Sequence, residues 1–243
     1  MPSVLILGAT SDMGFATAKK FASQQYNIQL AGRNLQALQP LQSDIQIRYG
    51  VTCTVYPFDA MAFDSHAAFY NSLSERPEIV ICVVGYMNDN EKVAASQEEM
   101  LRTLHTNYTG PVNILNIIAA DFAGQKKGII VGISSVAGLR GRQSNYIYGS
   151  AKAGFTAYLS GLRNKLFHDG VHVVTVLPGF VNTKMTADLN LPKLLTAQPE
   201  DVAHVIYTAV KKKKNIVYVK WFWRWIMCII VNVPEFIFKK KKL

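Results

Sequence analysis

The sequence predicts an α/β fold: a doubly wound parallel sheet of about seven strands with helices on both faces. Three observations predict it. Short apolar runs alternate with helix-length segments along the whole chain. The runs are continuous rather than alternating, as in Val171-His-Val-Val-Thr-Val-Leu177, which suits strands buried on both sides. The first run leads straight into a glycine turn and then a helix pattern. In order, Val4–Leu7 is the first strand, Gly8 to Gly14 the turn, and Ala16, Ala18, Phe21 and Ala22 the inner stripe of the first helix. Further strands are expected at Ile28–Ala31, Thr52–Tyr56, Ile79–Val84, Gly128–Ile133, Val171–Leu177 and Ile216–Val219.

With 243 residues, 49% of them hydrophobic, the chain can bury the core of a single α/β domain. No repeat or low-complexity linker divides it. The three cysteines, Cys53, Cys82 and Cys228, have neither paired nor metal-ligand spacing, which points to a reducing compartment and no metal site. The histidines are scattered, with His168 and His172 bracketing a turn. The first strand begins almost at Met1, so no signal peptide is expected and the predicted location is cytoplasmic. The net charge of +10 is local: residues 211–243 hold ten Lys and Arg against the single acid Glu235. A nearly neutral body argues against nucleic acid as a partner.

Two segments carry chemistry. Gly8, Thr10, Ser11, Met13 and Gly14 lie where a strand turns into a helix, a place where backbone amides and the helix N-terminus favour a phosphate. The spacing is not the usual dinucleotide fingerprint, and Asp12 is also placed to cap a helix beginning at Met13. The second segment runs from Ser135 to Lys152. Tyr148 and Lys152 are four residues apart on one helix face, and an ammonium beside a phenol lowers its pKa. Such a phenol can protonate a carbonyl oxygen as a general acid. Ser135 follows an apolar run and so sits at the carboxyl end of a strand, where open α/β sheets bind ligands. Alone, a Tyr and Lys at this spacing are equally explained by a half-buried Tyr beside a solvated Lys. Tyr146 points to another helix face and is a poor substitute acid.

Together, Gly8, Gly14, Asn107, Ser135, Tyr148, Lys152 and Pro178-Gly-Phe-Val-Asn-Thr183 resemble the short-chain dehydrogenase/reductase family in order and spacing, over roughly residues 3–210. Four passages and part of the tail are further similar to the decaprenylphosphoryl-ketopentose reductases. These are the turn Gly8–Gly14, Thr106–Thr109, Ser144–Gly149, Thr183–Leu189 and the tail piece Val233–Lys239. The resemblance implies a Rossmann-type sheet, a homodimer or homotetramer, and Asn107, Ser135, Tyr148 and Lys152 as the catalytic set. In that set Ser135, rather than its neighbour Ser134, orients the carbonyl, and Asn107 holds a relay water. It implies that Asp59 contacts adenine, that Lys152 also holds the nicotinamide ribose, and that Gly85, Pro178, Gly179, Val181 and Thr183 line the cofactor path. Two departures stand out: Asp12 replaces a usual Gly, and Val83-Val84-Gly85 replaces Asn-Ala-Gly.

The strand ending at Ala31 is followed by Gly32-Arg33-Asn34, with no carboxylate to bind ribose hydroxyls. Arg33 is placed for a 2′-phosphate, so NADPH is expected over NADH; an exposed loop arginine is the other reading. Residues 184–198 are expected to form a substrate lid, with Leu189, Leu191, Leu194 and Leu195 as its apolar members. Arg140 and Arg142 either meet an anionic substrate group or are simply solvated.

Residues 1–219 are expected to form the catalytic domain and 220–243 a separate aromatic and basic tail. The apolar run Trp225–Val231 is too short to span a bilayer. Tryptophans beside Lys220, Arg224 and the two lysine clusters are the chemistry of an anionic membrane surface. The tail is therefore expected to lie on the inner leaflet, or else to pack on the domain or a partner copy. Reduction of a ketone, on a small molecule or on a polyprenyl-phosphoryl pentose, is the predicted activity. A soluble reductase of another carbonyl, such as a 3-oxoacyl thioester, and a non-catalytic dinucleotide sensor remain as alternatives.

Overall fold

The computed structural model describes residues 1–186 and 192–241. Seven parallel strands form the central sheet in the order β3-β2-β1-β4-β5-β6-β9. They are β1 (Ser3–Leu7), β2 (Asn27–Gly32), β3 (Cys53–Pro57), β4 (Ile79–Cys82), β5 (Ile129–Ile133), β6 (His172–Pro178) and β9 (Ile216–Val219). Every predicted strand is present, with ends moved by one or two residues. Along β1, Val4 and Ile6 enter one core while Leu5 and Leu7 enter the other. That alternation is the pleat acting on a strand covered on both faces.

Helices α1 (Asp12–Ala22), α2 (Leu35–Tyr49) and α8 (Pro199–Lys211) cover one face, through Phe21, Leu41 and Ile206. On the other face lie α3 (His66–Asn71), α6 (Gly110–Gln125) and α7 (Tyr146–Leu166), through Tyr70, Phe122 and Leu159. The chain winds outward from β1 to β3 and then crosses to β4 on the other side of β1. The carboxyl ends of β1 and β4 are therefore the switch point at which such sheets open a crevice.

One feature was not expected from the sequence. A small parallel sheet of β7 (Phe180–Val181) and β8 (Thr196–Ala197) ties the start of the loop after β6 to the end of the predicted lid. Strands of two residues leave no periodic pattern to read. Leu189 and Leu191 of that lid lie outside the described residues, while Leu194 is exposed and Leu195 half-buried. The tail packs in part on the domain, one of the two courses expected for it. Helix α9 (Trp223–Asn232) lays Trp223 and Met227 onto Val136 and Leu177, and a short α10 (Glu235–Phe238) follows. Helix α4 (Asn90–Ala95) and α5 (Gln97–Leu104) complete the set, α5 leading through a π-helical turn at His105–Thr109 into α6.

Candidate active site

The predicted site residues converge on a groove along the carboxyl edge of the sheet. At its start, Gly8 has φ +87°, a left-handed conformation that β-carbons disfavour. A Cβ at Gly14 would lie 2.8 Å from the Gly8 carbonyl oxygen, so only glycine lets the helix approach the turn this closely. Ser11, rather than Asp12, caps α1: its Oγ accepts from the Gly14 N–H at 3.1 Å and donates to the Gly8 carbonyl at 2.9 Å. Asp12 is already helical, and its carboxylate accepts from the Lys184 N–H at 2.8 Å. The negative charge that the sequence places beside the phosphate turn is thus engaged with the start of the loop after β7.

Arg33 and Asp59 line one end of the groove, together with Pro57, Phe58 and Phe69. Arg33 is exposed, and among the described residues no carboxylate lies within ion-pair distance of it. Asp59 Oδ1 accepts from the Met61 N–H at 2.9 Å. The middle of the groove runs past Gly8, Thr10, Ser11, Val84, Gly85 and Thr106. Its far end is a cleft of about 350 Å³ that brings Thr10, Met13, Ser135, Tyr148, Lys152, Pro178, Val181 and Thr183 together. Neighbouring parts share residues, Arg33 and Asp59 at one junction and Thr10, Ser11 and Gly85 at the other, so the groove is continuous.

At this end, Lys152 is 3% exposed and donates to the Ile133 carbonyl at 3.1 Å. Its Nζ lies 5.9 Å from the Tyr148 ring centroid. Burial pulls the Lys152 pKa down to about 8. Burial likewise pushes the Tyr148 phenol up to about 12, against the opposing pull of its hydrogen bond with Ser135. The depressed phenol expected from the Tyr–Lys spacing is therefore not found. Desolvation outweighs an ammonium that is itself partly desolvated and turned to a main-chain carbonyl. The phenol stays protonated throughout the neutral range, the state a proton donor needs. Ser134 borders the cleft, but its hydroxyl is committed elsewhere: Oγ donates to the Lys152 carbonyl at 2.9 Å and lies 2.7 Å from Thr156 Oγ1.

Asn107 sits in the π-helical turn and is fully buried. Its amide donates to the carbonyls of Tyr86 at 2.6 Å and Thr103 at 2.9 Å, and its Oδ1 accepts from the Tyr86 N–H at 3.1 Å. Both amide protons are committed inside the protein. Pro111, four residues on, has no N–H to offer the Asn107 main-chain carbonyl.

Gly179 lines the same cleft, and its lack of a side chain also serves the tail. A Cβ there would run into the Trp223 indole, whose Nε1 donates to the Leu195 carbonyl at 3.2 Å. Its missing side chain makes room for the tail. Thr183 is tied to Thr186, whose Oγ1 accepts from the Thr183 N–H at 3.2 Å. Arg142 and Asn145, which line the same cleft, are polar groups whose burial no sequence pattern marked. Among the described residues no group of His, Cys, Asp and Glu could hold a metal.

A glycine cradle, a continuous groove along the carboxyl edge of the sheet and a buried Lys beside a protonated Tyr are the parts of a nicotinamide-dependent α/β oxidoreductase. The short chain dehydrogenase family model matches residues 2–193, and the chain belongs to that family. It is 31% identical to an uncharacterized oxidoreductase of Streptomyces coelicolor over 98% of this chain and 95% of that one. With an uncharacterized oxidoreductase of Mycobacterium tuberculosis it shares 30% identity over 98% of this chain and 96% of the relative. A 3-oxoacyl-[acyl-carrier-protein] reductase of Bos taurus is 28% identical over 76% of this chain and 78% of its own. Among solved structures, a Sphingobium yanoikuyae short-chain dehydrogenase in complex with NADPH superposes with a TM-score of 0.85. It covers 97% of each chain at 22% identity, which speaks to the fold alone. The protein is thus an oxidoreductase acting on carbonyl or alcohol groups.

Proposed function

We propose that the protein reduces a ketone with NADPH, and that the ketone is carried on a polyprenyl-phosphoryl pentose. The observation that carries the reduction is the protonated Tyr148 held between Ser135 and Lys152 at the end of the groove. NADPH bound there supplies the hydride to the carbonyl carbon. Ser135 hydrogen-bonds the carbonyl oxygen and sets its direction. Tyr148 gives that oxygen its proton, and the buried Lys152 ammonium stabilises the phenolate left behind. A water on the Asn107 carbonyl returns the proton. The turn from Gly8 to Gly14 holds the diphosphate, Asp59 faces adenine, and the unpaired Arg33 meets a 2′-phosphate, which favours NADPH over NADH. Gly85, Pro178, Val181 and Thr183 flank the nicotinamide.

The lipid-linked substrate rests on the tail. Uncharacterized oxidoreductases match over 98% of the chain, and 3-oxoacyl reductases over 76% and 77% of it. Helix α9 is two-sided: Trp223 and Met227 are buried, while Trp225 and Ile229 on its other side are exposed, as are Trp221 in the turn before it and Phe236 and Lys239 to Lys241 after it. No described helix is long and apolar enough to cross a membrane. The tail therefore both packs on the domain and presents an aromatic, basic face that suits an anionic leaflet on the cytoplasmic side. Oligomerisation as a dimer or tetramer is part of the same reading.

The test is NADPH consumption with a polyprenyl-phosphoryl ketopentose in detergent, beside a 3-oxoacyl thioester and simple ketones. Turnover specific to the lipid-linked sugar supports the full reading. Turnover of the thioester alone replaces the substrate and keeps the reductase.

A further inference from the structure

Two arginines follow Ser135, and the fold treats them in opposite ways. Arg140 is fully engaged with the tail. Its Nη2 lies 2.6 Å from Glu235 Oε2, its Nη1 donates to the Val231 carbonyl at 2.8 Å, and its guanidinium sits 4.1 Å from the Phe238 ring centroid. Arg142 has no such partners. Its Nε is buried without a hydrogen bond, and its Nη2 meets the Met227 sulfur at 3.4 Å. Among the described residues, no carboxylate lies within ion-pair distance of it.

A thioether is a weak acceptor and leaves a guanidinium largely unsatisfied. Arg142 stays charged at any physiological pH, so a buried Nε with no acceptor among the described residues is a cost to the fold. Arg142 is half-buried, not a freely solvated surface residue. Asn145, three residues on and also half-buried, repeats the pattern in the other sense: its Oδ1 is buried with no donor. Both residues line the cleft that holds Ser135, Tyr148 and Lys152. A buried donor without an acceptor and a buried acceptor without a donor in one cleft are the imprint of a ligand that supplies both.

We propose that Arg142 is the subsite for an anionic oxygen group of the substrate, a phosphate or a carboxylate, next to the carbonyl addressed by Ser135 and Tyr148. Asn145 accepts from a hydroxyl of the same molecule. The assignment rests on the reductase reading for its location relative to the carbonyl, but anion binding is readable without turnover. Arg142 lies between Ser135 and Tyr148 in the chain and shares the cleft with Thr10 to Met13 of the turn that takes the cofactor diphosphate, which is why the titration is run with and without NADP⁺. Met227, 1% exposed, closes over the guanidinium, so α9 forms a wall of this subsite as well as part of the tail. An arginine with a planar fork suits bidentate recognition of either oxyanion.

Calorimetric titration of the full-length protein, with and without NADP⁺, by dodecyl phosphate, laurate and dodecanol tests this at equal chain length. The wild type is expected to bind at least one anion about tenfold or more tighter than the alcohol. The stronger of the two anions separates phosphate from carboxylate as the group recognised. Arg142→Gln is expected to bind all three like the alcohol, with NADPH affinity unchanged. Should Arg142→Gln fail to fold, Arg142→Lys keeps the charge, loses the fork and is expected to lower the anion preference severalfold. Equal binding of alcohol and anions by the wild type overturns the proposal. So does an anion preference that survives Arg142→Gln, or survives undiminished in Arg142→Lys if only that variant folds. Absence of NADPH binding in the wild type would instead remove the reductase reading.

Discussion

At Lys152, the fold buries an ammonium that donates to the Ile133 carbonyl at 3.1 Å and, among the described residues, has no carboxylate within ion-pair distance. Its pKa falls from 10.5 to about 8, so folding costs on the order of 3 kcal/mol while the group is charged. Below pH 8 both folded and unfolded chains hold the proton and the penalty is constant. Between about 8 and 10.5 the unfolded chain binds more protons than the folded one, so stability rises with pH through this window. Lys152→Met should therefore be more stable than wild type by about 1–3 kcal/mol at neutral pH. The difference should shrink toward zero as pH climbs to 10.5. Thermal melts of both proteins across that range check it, and a neutral-pH variant less stable than wild type would contradict it. Activity should move the other way, declining above about pH 8 as the ammonium is lost. The motif containing Lys152 was legible from its spacing to Tyr148, but its effect on the phenol was not. Spacing shows that two groups share a helix face, whereas the pKa depends on burial supplied by distant strands.

Helix α9 shows the same limit at the scale of an element. Its sequence announces a tryptophan-rich helix between basic clusters, yet both rows of that helix are apolar. Only the packing reveals that Trp223 and Met227 face in while Trp225 and Ile229 face out. The signal that fixes this lies elsewhere in the chain, at Gly179, whose missing Cβ admits the Trp223 indole. Likewise, Arg140 and Arg142 are indistinguishable in the sequence until Glu235 and Met227 come back from the tail to meet them. Trp223→Ala should cost about 3–5 kcal/mol, since it opens a cavity and breaks the bond to the Leu195 carbonyl. Trp225→Ser should change stability by less than about 1 kcal/mol while weakening sedimentation with phosphatidylserine vesicles, an effect that grows with salt. Vesicle binding unaffected by Trp225→Ser together with Trp221→Ser would remove the membrane reading and leave the tail as a wall of the cleft. Deleting residues 220–243 is a poorer test, because it also uncovers Val136 and Leu177.

Over the whole molecule, one topological fact organises the site. The strand order reverses between β1 and β4, and the groove runs along the carboxyl edge on either side of that point. The sheet itself was readable because each strand is a continuous apolar run, a pattern that burial on two faces imposes. The groove was readable only in part. Gly8, Gly14, Ser135, Tyr148 and Lys152 carry local signatures, whereas Arg142, Asn145 and the β7–β8 clasp acquire meaning from contacts across the chain. The cleft is bordered by Thr183 to Thr186 after β7, and helix α9 reaches it through Met227 on Arg142. Its catalytic claim reduces to one proton donor. The most direct measurement is NADPH oxidation by wild type and Tyr148→Phe with the same ketone, alongside NADPH binding to each. The account predicts a loss of about a thousandfold or more in turnover with nearly unchanged NADPH affinity. Turnover retained within about tenfold of wild type by Tyr148→Phe would contradict it.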